Sequence, residues 1–191
     1  MLIGLGNPGH NYHETRHNIG FRVIQRLAEQ HKVSVVEKLS SPDGRPAGVY
    51  GDCEVAGQRV RLLMPLTMMN ESGEALRGLR EPSDSLMVIC DDVNLPLGVL
   101  RMRAEGGAGG HNGLISCLQA LGTEAVPRLR LGVGVQPLPS DLREFVLGRF
   151  SGAERPQVGR MLEQAAEACE TWVREGIQTA MNRYNRTQDT G

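Results

Sequence analysis

Short apolar runs alternate along the chain with stretches whose apolar residues recur every three to four positions, an order that predicts an α/β succession of strands and helices. Strands are expected at Leu2 to Leu5, Val33 to Val36, Gly48 to Val55, Gln58 to Met64, Leu86 to Cys90 and Val99 to Arg103. In Arg128 to Val135 the alternation is strict. Leu129, Leu131, Val133 and Val135 point one way, and Arg128, Arg130, Gly132 and Gly134 the other. Helical spacing covers Ile19 to His31, a segment after Asn70, one beginning near Asn112, and Glu154 to Glu175 with its stripe from Val158 to Val173. The one stretch with linker character, Ser40 to Gly48, is too short to separate two cores, so a single domain is expected.

Composition narrows the function classes. The 191 residues carry a net charge of -1, which excludes a globally basic nucleic-acid coat and requires any RNA site to be local. Cys53, Cys90, Cys117 and Cys169 are scattered, without a Cys-x-x-Cys pair, and read as free thiols of a reducing cytoplasm. No apolar run reaches membrane length, and the first residues enter a strand without a charged leader, so a cytoplasmic, non-membrane chain is expected.

Two familiar motifs are set aside. Gly4, Gly6 and Gly9 satisfy G-x-G-x-x-G after a strand, but Pro8 interrupts, and the polar stretch His10 to Asn18 separates the glycines from any helix that would receive a pyrophosphate. His13-Glu14-Thr15-Arg16-His17 matches H-E-x-x-H, yet the third ligand of the longer zinc signature is replaced by Val23, and Pro8-Gly9 and Gly20 bracket the segment as a loop.

Polar residues follow the apolar strands: Asn7 after Leu2 to Leu5, Asn70 after Leu62 to Met64, and Asp91-Asp92 after Leu86 to Cys90. Side by side, such strands would bring these residues to one crevice, because ligands of α/β sheets bind outside the carboxyl ends of the strands. Gly106 to Gly110 would let backbone approach it. Each residue also has a plain structural reading: Asn7 as a turn former, Asn70 and Asn112 as helix N-caps, Asp91 as a strand-end carboxylate on backbone, and His17 as an exposed loop imidazole.

Taken in order, Gly-Leu-Gly-Asn-Pro-Gly (4–9), Thr-Arg-His-Asn-x-Gly (15–20), Met-Asn-x-Ser-Gly (69–73), Asp91-Asp92 and Gly-Gly-His-Asn-Gly (109–113) resemble bacterial-type peptidyl-tRNA hydrolase. Arg-Leu-Arg-Leu-Gly-Val-Gly (128–134), Phe-Val-Leu-Gly (145–148) and Ala-Met-Asn-Arg-Tyr-Asn (180–185) extend the resemblance over nearly the whole chain. It implies a twisted mixed, largely parallel sheet flanked by helices, phosphorylase/hydrolase-like. The implied activity is cleavage of the ester between tRNA and an N-blocked peptide, without cofactor or metal. His17 falls on the catalytic base, and an imidazole can take a proton from water near pH 7. Asp91 falls on the carboxylate that orients it. Asn7 matches the asparagine linked to choosing blocked over free aminoacyl groups, with an oxyanion role open to the asparagines. Asn70, Asn112, Tyr12, Met68 and Met69 match substrate- and tRNA-binding positions.

The resemblance also implies that Arg103 and Arg130 clamp the 5′ phosphate of tRNA, while Arg174, Arg183 and Arg186 continue the track; the plain reading is a solvated arginine face. Met68 replaces a frequent phenylalanine, Cys90 a common histidine or tyrosine, and Asn94 a frequent aspartate. The implied partner is peptidyl-tRNA, engaged through acceptor end, phosphate and peptide, with no stable protein partner and a monomer as the expected state. A noncatalytic RNA-binding relative of the same fold is the alternative.

Overall fold

In the computed structural model, which describes residues 1–79 and 81–185, seven strands form one mixed, mostly parallel sheet. In chain order they are β1 (Leu2–Gly4), β2 (Glu37–Ser40), β3 (Pro46–Val55), β4 (Gln58–Pro65), β5 (Met87–Pro96), β6 (Leu100–Arg103) and β7 (Arg128–Gly134). Across the sheet the order is β2-β3-β4-β1-β5-β7-β6. The four central strands β4, β1, β5 and β7 are parallel, and β3 and β6 flank them antiparallel. Strands covered on both faces need apolar residues at every position, which is why Leu2-Ile3, Leu62-Leu63 and Met87 to Ile89 are fully buried.

Helices α1 (Ile19–Gln30) and α4 (Arg155–Tyr184) cover one face, where Val23, Ile24 and Leu27 meet Met87, Leu129, Met161 and Ala165. On the other face, α2 (Asn112–Leu121) and a 3₁₀ stretch, Met69–Leu76, pack Leu114, Cys117 and Leu76 on Ile3, Leu63 and Val88. A short helix, α3 (Leu142–Leu147), buries none of its residues in either core. Gly4 and Gly20 set the distance between β1 and α1. A Cβ on Gly4 would stand 2.3 Å from the Gly20 carbonyl oxygen, and one on Gly20 2.4 Å from that of Ile89. This contact fixes where α1 begins, and with it the turn just before it.

Helix α4 breaks at Gly176, whose φ of 82° lies outside the helical region, just past the Glu175 boundary expected from the apolar stripe. Beyond the break, Asn185 pairs with the edge of β6: its Oδ1 accepts from Met102 N at 2.7 Å and its Nδ2 donates to Met102 O at 3.0 Å. Such side-chain pairing blunts an exposed edge strand. No helix among the described residues is long and apolar enough to cross a membrane.

Several expectations change. Val33 to Val36 is not a strand, because it crosses the face of β3, where a Cβ on Gly51 would meet Ser34 O at 2.3 Å, instead of lying beside an edge it could pair with. The strand after Leu86 does not end at Cys90 but runs through the two aspartates to Pro96. The helix expected after Asn70 is of 3₁₀ type and already includes Met69 and Asn70, so Asn70 is not its cap. Ser40 to Gly48 is not a linker: residues 41–45 turn the β2–β3 hairpin, closed by Ser41 Oγ on Arg45 O at 3.1 Å, and Ser40 and Pro46 to Gly48 belong to its strands.

Candidate active site

The register of the central strands assembles the site. Gly4, the last residue of β1, pairs with Ile89, so Asp91 stands two residues past the end of β1 on the strand beside it. Asn7 follows β1, and Met68, Met69 and Asn70 follow β4 on the other side. These residues line a cleft of about 730 Å³, whose far walls are Gly109 to Asn112 and α3. Convergence at the carboxyl ends of parallel strands, expected from the sequence, is what the sheet produces.

His17 lies on a 3₁₀ turn, Arg16–Asn18, held against the start of α1. Its Nδ1 is 2.7 Å from Asp91 Oδ1, with Asp91 only 3% exposed. The same oxygen receives Nε2 of His111 at 3.0 Å. Burial alone would raise the Asp91 carboxyl, but the two imidazoles, His111 foremost and then His17, more than offset it and hold the group well below the usual carboxylate range. Asp91 is therefore ionised and Nδ1 of His17 is the donor, which leaves Nε2 as the ring nitrogen not bonded to the carboxylate.

His111 is assigned a tautomer by its second contact. Its Nδ1 accepts the Leu114 N–H at 3.2 Å, capping α2, so Nε2 bears the proton given to Asp91. The cap is His111 and not Asn112, which leaves the exposed Asn112 amide free to face the cleft. His17, Asp91 and His111 each place one nitrogen or carboxylate oxygen within 4.8 Å of the others, a spacing that a cation could use. The donor chemistry favours hydrogen bonds: lending Nε2 of His111 to a metal moves its proton to Nδ1, where it would face the Leu114 N–H.

Asn7 is buried and oriented by its neighbours. Its Oδ1 accepts Met69 N at 2.7 Å, so the Nδ2 donor is the end available to the cleft. Asn18 clamps the Asn7 backbone from behind, accepting its N–H and donating to its C=O, both at 2.9 Å. The plain readings of Asn7 as a turn former and Asp91 as a backbone-bonded carboxylate thus give way to a network linking both to the cleft.

The arginine face is not uniformly solvated. Arg128 is 1% exposed and gives its guanidinium to the carbonyls of Gly106, Gly107, Glu124 and Val126. Arg130 reaches Asp92 Oδ2 at 3.0 Å and the carbonyls of Gly107 and Ala108 at 3.2 and 2.9 Å. Both grip the loop that carries His111. Alternation placed these side chains on one face correctly, but the loop folds over that face and buries Arg128. Arg130 lines the cleft, whereas Arg103 is exposed on β6 opposite Arg128 and outside the lining. Arg174 pairs with Glu170 and Arg183 with Glu175, and Arg186 lies outside the described residues.

Tyr12, Met68, Met69, Asn70 and Asn112 all line the cleft, Met68 at 43% exposure and Met69 at 5%. His10, His13 and Glu14 of the zinc-like motif are exposed, and the segment forms two 3₁₀ turns in place of a continuous helix. Burial pushes the Cys117 thiol up to about 12 and those of Cys90, Cys169 and Cys53 upward as well. His111, Asn18 and Arg16 received no role from the sequence, although each lies inside a quoted motif.

Residues 1–190 match the peptidyl-tRNA hydrolase family. A peptidyl-tRNA hydrolase of Roseiflexus sp. (strain RS-1) is 46% identical over 190 residues, 97% of this chain and 85% of its own length. That of Syntrophomonas wolfei is 43% identical over 97% of this chain and 99% of its own length. Among solved structures, peptidyl-tRNA hydrolase from Acinetobacter baumannii has a TM-score of 0.83 at 29% identity, covering 97% of this chain and 93% of that one.

Proposed function

Because the chain belongs to the peptidyl-tRNA hydrolase family and hydrolyses peptidyl-tRNA, we propose that His17 is the general base of that reaction and Asp91 the carboxylate that orients it. The carrying observation is the 2.7 Å contact between His17 Nδ1 and the buried Asp91, which leaves Nε2 as the basic nitrogen on the cleft side. Nε2 takes a proton from water as the water oxygen adds to the ester carbonyl. Collapse of the tetrahedral adduct expels the ribose oxygen, which receives that proton, giving a free peptide carboxyl and a free tRNA hydroxyl. Positioned proton transfer of this kind contributes about 10²- to 10⁴-fold in rate.

The Nδ2 group of Asn7 is the donor best set to meet the ester carbonyl or the first peptide group, which fits a preference for N-blocked substrates. Tyr12, Met68, Met69, Asn70 and Asn112 contact the peptide and the tRNA end. Arg103 and Arg130 take the 5′ phosphate. A monomer that needs no stable protein partner is the proposed state.

The test is hydrolysis of N-acetylated and free aminoacyl-tRNA, with and without chelator, by wild type and His17→Ala. Release from the blocked substrate alone, unaffected by chelator and lost in His17→Ala, is expected. Equal release from both substrates would remove the selectivity, and full activity of His17→Ala would remove the base.

A further inference from the structure

Arg16 directly precedes His17 on the 3₁₀ turn, yet its side chain leaves the cleft and is buried, at 8% exposure. The guanidinium is packed by two aromatic rings, 4.5 Å from the Phe145 centroid and 4.7 Å from that of Phe150. Its two terminal nitrogens each lie 2.9 Å from a carboxylate oxygen of Glu154, ahead of α4. Burial alone would raise the Glu154 carboxyl, but Arg16 and the Ser151 N–H hold it at about 2, so the pair is charged at neutral pH. The backbone follows the same path: Arg16 N donates to Gly148 O at 3.0 Å, and Thr15 bridges Arg149.

Phe145 belongs to α3, whose Leu142, Arg143, Val146 and Leu147 wall the cleft. Since α3 buries nothing in the two cores, its attachment runs through Phe145 and the Gly148–Arg149 backbone, all to the turn that carries the histidine. We propose that Arg16 is a positioning residue that makes the α3 wall and the His17 turn one rigid unit, fixing the width of the cleft at the reacting carbonyl. A planar guanidinium suits this task because it donates from one terminal nitrogen to the Glu154 carboxylate, holds the other in ion-pair range and offers flat faces to two rings at once. Lysine can keep the charge but not both stacks.

The inference rests on the reading of His17 as the base, and hydrolysis of N-acetylaminoacyl-tRNA by Arg16→Met, Arg16→Lys, Phe145→Leu and His17→Ala separates the two. With displacements near 1 Å costing about 10²-fold, Arg16→Met should lose about 10- to 100-fold in kcat/KM at temperatures well below its own Tm. Arg16→Lys should recover part of that loss, and the acid limb of the pH profile should stay in place. Phe145 does not line the cleft and α3 is outside the core, so Phe145→Leu folds and should raise KM at least threefold through the wall alone. Arg16→Met within threefold of wild type, a displaced acid limb, or an unchanged KM in Phe145→Leu overturns the positioning role. An active His17→Ala overturns instead the reading beneath it.

Discussion

His111 performs two tasks with two nitrogens, and the tasks can be separated by substitution. Nδ1 accepts the Leu114 N–H as the cap of α2, and Nε2 donates to the buried Asp91 carboxylate. Losing an N-cap costs about 1 kcal/mol, and losing a hydrogen bond to a charged group about 1.5–3 kcal/mol. His111→Ala should therefore destabilise by about 2.5–4 kcal/mol, a fall in Tm of about 5–16 °C for a domain of this size.

Asparagine places an acceptor near the position of Nδ1 and glutamine a donor near that of Nε2. His111→Asn should keep the cap and lose the Asp91 contact; His111→Gln should do the reverse. Thermal unfolding should place both between wild type and His111→Ala. In the hydrolysis assay they should split: His111→Gln stays within a fewfold of wild type in kcat, whereas His111→Asn falls about tenfold, the equivalent of about 1.4 kcal/mol at the transition state. Equal kcat values for the two, or a Tm of His111→Ala matching wild type, would refute the division of labour.

Arg103→Ala should raise KM for tRNA and reduce the salt slope by about one, with kcat unchanged, because the proposed phosphate contact of this exposed residue would be lost. Arg130→Ala should raise KM and also lower kcat, because the same guanidinium grips Gly107 and Ala108 of the loop leading to His111; unchanged KM in both variants contradicts the clamp. The folded-state values of Asp91 and Glu154 are depressed, so their stabilisation is complete above the ordinary carboxylate range and is lost as pH falls through the folded values, about 2 for Glu154. Urea unfolding of Glu154→Gln should show lower stability at pH 7 and a smaller decline between about pH 5 and pH 2 than wild type. Gly4→Ala forces a Cβ to 2.3 Å from Gly20 O and should cost about 1–3 kcal/mol, read as a lowered Tm.

The central strands were legible because two-sided burial writes them as continuous apolar runs, and the cleft because Asn7, Asn70 and Asp91 follow those runs. The contact between His17 and Asp91 was not legible from spacing, since 74 residues separate them and the β1–β5 register brings them together. Resemblance supplied that pair; the register supplies its physical reason. His111 was hidden by its neighbour: Asn112 is the better capping residue by type, and which of two adjacent side chains reaches Leu114 N–H is a matter of loop geometry. Arg16 looked like one more polar residue in the stretch from His10 to Asn18, because the rings that bury it lie about 130 residues away in sequence, at Phe145 and Phe150.

In the proposed mechanism the two donors on one Asp91 oxygen give that carboxylate a fixed place beside the base. A carboxylate at Nδ1 stabilises the imidazolium formed when water is deprotonated, and as the weaker base of the pair it does not take up the proton. In the proposed mechanism the N–H of His111 fixes the shared oxygen and its negative charge beside Nδ1 of His17, so the ring should keep the orientation in which Nε2 returns its proton to the leaving ribose oxygen. The same contact makes the rate depend on the loop gripped by Arg128 and Arg130, since any shift of that loop moves His111. An Arg128→Met variant, with the charge removed from the loop carbonyls but no cleft group altered, should thus lose kcat at a temperature where it remains folded. If it unfolds earlier but turns over at the wild-type rate while folded, the loop does not govern Asp91.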